Sequence, residues 1–355
     1  MSERITMSKI AELCDTSVGT VDRALNNRGG INPAMKELIM QTAVELGYHS
    51  NKFAGALSRK RKLRIAALYP SGPHEFISCF EQGIKKAESE LSAYGVQIES
   101  LTFDPQSPYT CGKLLDELDI DRYDAVAINP ISASWSEYVD RYTAAGRPVA
   151  LFNNDLPGSS RLFYVGGNPL QSGKMGGDIM GTLLHGTGGV AVLGNFVHVM
   201  PFFERFDGFC QAIHEYHSNI EIYACADCRM SEELTRKNLV NLLQQMPELR
   251  GVFCTGFSST RDAVRVLEEM DRKDIFVVGY DMCDATADAV RKGFCSVLLY
   301  ENPYQQAYHA VTFLCRHLLE EWKPQSSQLY IPTRVIFRQN IENYSGGMPR
   351  WDELT

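Results

Sequence analysis

Apolar positions along this chain follow two rhythms. Between residues 6 and 46 they recur at helical spacing in three short blocks. In the first, Ile10, Ala11, Leu13 and Cys14 form an apolar face behind Thr6, placed as an N-cap. Asp15-Thr16 breaks the pattern, Ser17 can cap a second helix, and Val21, Ala24 and Leu25 give that helix a buried side. Val18, Gly19, Asp22 and Arg23 are then left facing outward. A third helix begins with Asn32 as cap and Pro33 in the first turn and stops at Gly47, with Leu38, Ile39, Ala43 and Leu46 closing a small core. Two short helices and a tight turn, with an arginine on the outward face of the second, suit the major groove of DNA.

From Leu63 the rhythm changes to short apolar runs alternating with amphipathic helices. Strands are expected at 64–69, 96–103, 125–129 and 148–152, with helices at 76–94, 112–118 and 135–145 between them. A second series places strands at 189–194, 221–226, 251–254, 275–280 and 296–300. Its helices are at 205–216, 232–245, 260–270 and 285–292. A late helix at 304–322 and a last strand at 330–337 allow the chain to cross back. Such alternation predicts parallel sheets covered on both faces, in two doubly wound subdomains.

Composition narrows the class. A chain of 355 residues with 44% hydrophobic and 22% charged residues has the balance of a globular protein of two or three domains. No signal peptide and no apolar run long enough to span a bilayer stands out, so a cytoplasmic protein without a membrane partner is expected. The net charge of −8 would oppose nucleic acid if spread evenly. It is not: residues 1–64 carry eleven Lys or Arg against six Asp or Glu, a balance of +5, which leaves −13 for the rest. Arg59-Lys-Arg-Lys62 with Arg64 concentrates the basic share beside the head.

Ten scattered cysteines in a chain without an export signal are expected to stay reduced. Cys225-Ala-Asp-Cys228 is the lone Cys-x-x-Cys and has no His partners nearby, so neither metal nor cofactor is expected. Gly186-Thr-Gly-Gly189 precedes a strand, whereas a phosphate-cradling loop follows one. Ser172-Gly-Lys-Met-Gly-Gly177 opens a helix without the phosphate-binding spacing, which fits close helix packing better. There is also no Gly-x-Ser-x-Gly elbow and no His-Glu-x-x-His, and no catalytic residue is assigned. An enzyme fused to a DNA-binding head remains the alternative reading.

The segment Ser17-Val-Gly-Thr-Val-Asp-Arg-Ala-Leu-Asn26 resembles the recognition helix of the LacI family of bacterial transcriptional regulators. Gly30-Ile-Asn-Pro33, Leu46-Gly-Tyr-His-Ser-Asn51 and Ala54-Gly-Ala-Leu57 resemble the family's third helix and hinge helix in order and spacing. The resemblance implies a homodimer on a palindromic operator, with Val18, Gly19 and Arg23 at the bases. It places Thr6, Ser17, Thr20 and Asn26 at phosphates, and Leu57 as a minor-groove wedge.

Residues 63–337 resemble the type I periplasmic sugar-binding fold, more closely its ribose-binding branch. The resemblance rests on Arg205-Phe-Asp-Gly-Phe209, Val277-Val-Gly-Tyr-Asp281 and Leu299-Tyr-Glu-Asn-Pro303. It implies an effector, a sugar or sugar derivative, bound between subdomains by Phe76, Asn153, Asn154, Asn168, Arg205, Asp281 and Glu301. Three departures argue against ribose itself: Asn153-Asn154 in place of Asp-Arg, Gly256-Phe257 in place of Asn-Asp, and Cys228 in place of a stacking aromatic. Two arginines, Arg205 and Arg229, leave an acidic group open.

The expected organisation is a helix-turn-helix domain at 1–50, a hinge helix and basic linker at 51–62, an effector-binding domain at 63–345 and a tail at 346–355. Within the effector-binding domain, one subdomain takes 63–156 and 302–324, and the other 157–301 and 325–345. The whole reads as an allosteric transcriptional regulator, a repressor. No leucine heptad follows Phe337, so a C-terminal coiled coil is not expected.

Overall fold

The computed structural model describes residues 6–25, 29–46, 62–71, 75–105, 107–195 and 200–344. The chain divides into two compact units at Lys60–Arg61.

The first unit contains the three expected helices, α1 (Met7–Leu13), α2 (Val18–Leu25) and α3 (Pro33–Glu45). Each start is capped as its sequence dictates. Thr6 Oγ1 accepts from Lys9 N at 3.3 Å, Ser17 Oγ from Thr20 N at 3.1 Å and Asn32 Oδ1 from Ala34 N at 2.9 Å. Ile10, Val21 and Ile39 are fully buried and meet in one core with Ala11, Cys14, Ala24 and Ala43. Burying each of the three large side chains is worth about 1.5–3 kcal/mol. Leu13 and Leu38, expected in this core, are 54% and 48% exposed instead. Three helices this short have room for one narrow apolar seam, and both residues fall just outside it.

In the second unit, β1 (Leu63–Pro70), β2 (Val96–Phe103), β3 (Ala125–Ile128), β4 (Val149–Phe152) and β5 (Phe163–Gly166) alternate with α4 (Glu75–Leu91), α5 (Pro108–Glu117) and α6 (Ser136–Ala144). The chain continues through α7 (Pro169–Leu183), β6 (Gly188–Gly194), α8 (Met200–Tyr216), β7 (Ile220–Asp227) and α9 (Glu232–Gln245). It ends with β8 (Leu249–Cys254), α10 (Phe257–Glu269), β9 (Phe276–Tyr280), α11 (Asp284–Lys292), β10 (Val297–Tyr300), α12 (Pro303–Glu320), β11 (Gln328–Tyr330) and β12 (Arg334–Ile336). One six-stranded sheet has the order β11-β5-β4-β3-β1-β2 and the other β12-β10-β9-β8-β6-β7. All pairings are parallel except β10 with β12. Strands β3, β4 and β5 are buried along their whole length, as continuous apolar strands between two helical layers must be.

Two expected boundaries are corrected. Phe163–Gly166 is a strand of the first sheet, so the first crossing lies at 167–168 and not at 157. Pro157-Gly158 is a turn inside the first subdomain. The expected strand at 330–337 is two strands: β11 closes the first sheet and β12 pairs antiparallel in the second, which puts the third crossing at 331–333 and not at 325.

Helices α7 and α8 pack unusually close. A Cβ on Gly173 would overlap the Arg205 carbonyl, and one on Gly208 the Leu170 carbonyl. The glycines of Ser172-Gly-Lys-Met-Gly-Gly177 therefore serve packing, and they fix where Arg205 stands.

Candidate functional site

On the head, Val18 is 43% exposed, and Gly19 and Arg23 are also exposed, one helical turn apart. Arg23 Nε donates to Gly19 O at 3.1 Å, which lays the guanidinium along the outward face of α2. Ser17 Oγ and Thr20 Oγ1 lie 2.9 Å apart at the exposed helix start, beside the capped N–H. These groups form a polar edge with outward N–H and hydroxyl donors, suited to phosphate oxygens. Asn26 and Leu57 lie outside the described residues.

The second concentration of polar chemistry sits at the carboxyl ends of the strands, where the two sheets face each other, the usual ligand position in open parallel sheets. Three chain turns there are in the left-handed region: Asn153 (φ 64°) after β4, Asp281 (φ 61°) after β9 and Asn302 (φ 55°) after β10. Asn and Asp tolerate this conformation better than other side-chain-bearing residues, and backbone strain of this kind gathers at binding sites. Arg205 on α8 is 7% exposed, and Asp281 and Glu301 are each 4% exposed. Arg205 Nη2 donates to Glu301 Oε2 at 2.7 Å and Nη1 to Thr255 O at 2.8 Å, while the guanidinium carbon lies 4.1 Å from the centre of the Tyr280 ring. Burial alone would lower the Arg205 pKa, but the Glu301 carboxylate outweighs it and holds the guanidinium above its ordinary range.

Asp281 has no ion pair among the described residues; it accepts from Glu301 N at 3.5 Å. Burial, reinforced by the Glu301 charge and only partly relieved by Arg205, pushes its carboxyl up to about 7. Several buried polar atoms around this cluster have no hydrogen-bond partner: Arg205 Nε, Glu301 Oε1, Thr255 Oγ1 and Asn195 Oδ1. Unpaired buried groups are costly, and so many in one place indicate a surface built for a polar ligand.

The other expected residues divide. Phe76, at the start of α4, stacks on Phe257 from the opposite subdomain with ring centres 5.6 Å apart and planes at 27°. Beside it, Glu75 Oε2 accepts from Asp284 N at 3.0 Å, so both subdomains touch at the mouth. Asn153 Nδ2 reaches Asn129 Oδ1 at 3.5 Å and Asn154 Oδ1 at 3.3 Å. Asn154 directs its own amide at Asn129 Oδ1 (3.2 Å) and Pro130 O (2.8 Å), so its donors brace the β3 and β4 ends and are not free for a ligand. Asn168 Oδ1 caps α7 through Gln171 N at 3.1 Å. Arg229, weighed as a second cation, has a 73% exposed side chain and pairs with Asp227 at 3.4 Å. Cys228 is buried as a free thiol. Thr255, Tyr280, Phe257 and Asn302 join the site without having been assigned a role in it; Phe257 stood in sequence as a departure from the family pattern, Tyr280 and Asn302 lay inside the matching motifs, and Thr255 gave no signal.

Comparison with known proteins separates the head from the sensor. Residues 6–51 match the family described as bacterial regulatory proteins, lacI family, and residues 65–321 match the periplasmic binding protein domain. A ribose operon repressor of Halalkalibacterium halodurans is 23% identical over 353 residues, covering 95% of this chain and 97% of that protein. Among solved structures, a putative LacI transcriptional regulator from Bacteroides fragilis superposes with TM-score 0.72 at 19% identity, over 80% of this chain and 100% of that one. A solute-binding protein from Burkholderia graminis in complex with D-arabinose gives 0.73 at 20% identity, over 81% and 99%. Regulators and sugar-binding proteins thus share the architecture.

Proposed function

We propose that this chain, which belongs to the periplasmic binding protein domain family and carries a lacI-family regulatory head, is a sequence-specific repressor whose operator affinity is set by a small sugar-like effector held between the two subdomains of its sensor. One observation carries the sensor half: the buried Arg205–Glu301 pair beside Asp281, with unpaired donor and acceptor atoms, at the carboxyl ends of facing sheets. Hydroxyl groups both donate and accept, so a polyol satisfies such a set, with Arg205, Asp281 and Glu301 as its hydrogen-bond partners and Asn153 and Asn168 at the margin. Phe76 and Phe257 supply apolar faces at the mouth. The D-arabinose held by the Burkholderia graminis protein and the ribose operon named for the Halalkalibacterium halodurans repressor support this effector class.

In the head, Val18 and Arg23 read base edges, Thr6, Ser17, Thr20 and Asn26 hold phosphates, and Leu57 wedges into the minor groove. Two copies bind a palindrome as a homodimer in the cytoplasm. Effector binding is coupled to operator affinity through the difference in effector affinity between the two sensor conformations, which is what linkage requires. The test is fluorescence anisotropy of the purified chain on palindromic DNA, with and without a panel of sugars. Operator binding that no sugar alters, together with no sugar-induced thermal shift, overturns the sensor half. Absence of salt-dependent DNA binding overturns the head half.

A further inference from the structure

Building on the effector reading above, we infer that the sensor selects a sugar bearing a protonated amine over its neutral and acidic counterparts. The argument is one of unbalanced charge in a closed site. Arg205 is the one cation in the buried cluster among the described residues, and Glu301 already engages it at 2.7 Å, with Thr255 O taking a second guanidinium donor. That leaves the Asp281 carboxylate, 4% exposed, with a single 3.5 Å backbone contact. Glu301 Oε1 is likewise buried without a partner.

Among the described residues, Arg205 is the one cation that acts on Asp281, and it is already engaged by Glu301. From α4 of the opposite subdomain come Cys79, a thiol pushed up to about 12 by burial, and Glu75, a second carboxylate. From the turn before α11 comes Cys283, a thiol pushed up to about 11 by burial. The remaining neighbours are the Tyr280 and Tyr300 hydroxyls, both raised by burial and neutral. Above about pH 7, where Asp281 is ionised, two carboxylates thus share one guanidinium, and an ammonium group, with three donors and no acceptor, supplies both the absent charge and the absent donors. An acidic sugar meets a second net negative charge and is excluded. The rest of the unpaired set, Arg205 Nε, Thr255 Oγ1 and Asn195 Oδ1, mixes donors and acceptors and takes ordinary hydroxyls, which keeps the ligand a sugar and not a simple amine.

The test is calorimetry at pH 8 on the full chain with four sets of probes: glucosamine, galactosamine and mannosamine; their N-acetyl forms; the parent hexoses; and the corresponding uronic acids. At least one amine is expected to bind about tenfold or more tightly than its N-acetyl and parent forms, with the acids weakest. Glu301→Gln, which keeps the shape and a carbonyl oxygen for Arg205, is expected to erase that preference, read as the ratio of amine to parent-hexose affinity; Asp281→Asn is an independent second variant read the same way. A neutral or acidic form that binds as well as its amine, or an amine preference that survives both substitutions, overturns the inference and leaves the effector reading standing. No binding by any probe overturns the inference too, and the absence of a thermal shift in the wider sugar panel then separates the failure of the effector reading from it.

Discussion

The head presents Val18, Gly19 and Arg23 exposed on one face of a helix whose other side fills a small core, whereas the sensor keeps Arg205, Asp281 and Glu301 under a tenth exposed and tied to one another from α8, β9 and β10. A surface that must meet a large partner can display its chemistry without disturbing the fold. A site that closes over a small molecule has to bury its charges, and each then depends on its neighbours. Substitutions in the head should therefore alter recognition with little loss of stability, and substitutions in the cleft should alter both together.

Arg205→Ala presses hardest on that contrast. It leaves Glu301 and Asp281 without their cation, and breaking a buried pair in this way costs about 3–5 kcal/mol. Urea unfolding of the sensor should show this loss alongside a lost sugar response; a loss below about 1 kcal/mol would mean the pair is solvated. Asp281 comes next. Its carboxyl is raised from 3.8 to about 7, so the unfolded chain gives up the proton first. The stability associated with the protonated form is full below about pH 4 and lost as pH rises through about 7, a change of about 4 kcal/mol for roughly three units at about 1.4 kcal/mol per unit. Urea midpoints should fall between pH 5 and pH 8, and Asp281→Asn should flatten that slope.

On the head, Arg23→Ala should remove about 1–3 kcal/mol of discrimination at one base-pair position. Footprinting on single-base operator variants reads that change, and the urea midpoint should stay where it was. The smallest effect is Ser17→Ala, which removes the cap from Thr20 N and costs about 1 kcal/mol, seen as faster hydrogen exchange in α2. A fall in DNA affinity with no change in exchange would place the whole effect at the phosphate contact and leave the cap without measurable weight.

The same contrast explains what the sequence makes legible. The caps Thr6, Ser17 and Asn32 act within three residues, and the helices they start are visible in the pattern of residues 6–46. The alternation of strands and helices identifies the sensor fold, yet it passes over Phe163–Gly166, four residues too short to show a period, and it joins Gln328–Tyr330 to Arg334–Ile336 although they belong to different sheets. Arg205, Asp281 and Glu301 were legible through their local motifs. Their partners were not: Phe76 meets Phe257 and Arg205 meets Thr255 O only after both sheets form. Asn153 and Asn154 look equivalent in sequence, but the left-handed backbone at Asn153 separates their roles, and nothing in the pattern announces it.

The hydrogen bond from Asp284 N to Glu75 joins positions 209 apart in the chain and bridges the mouth of the cleft. An occupant that leaves past this edge must wait for that bond and the Phe76–Phe257 stack to part, so these two contacts add to residence time separately from the buried cluster. The duration of a signal and its chemical identity are therefore set in part by different residues, and evolution can slow or quicken the one while keeping the other.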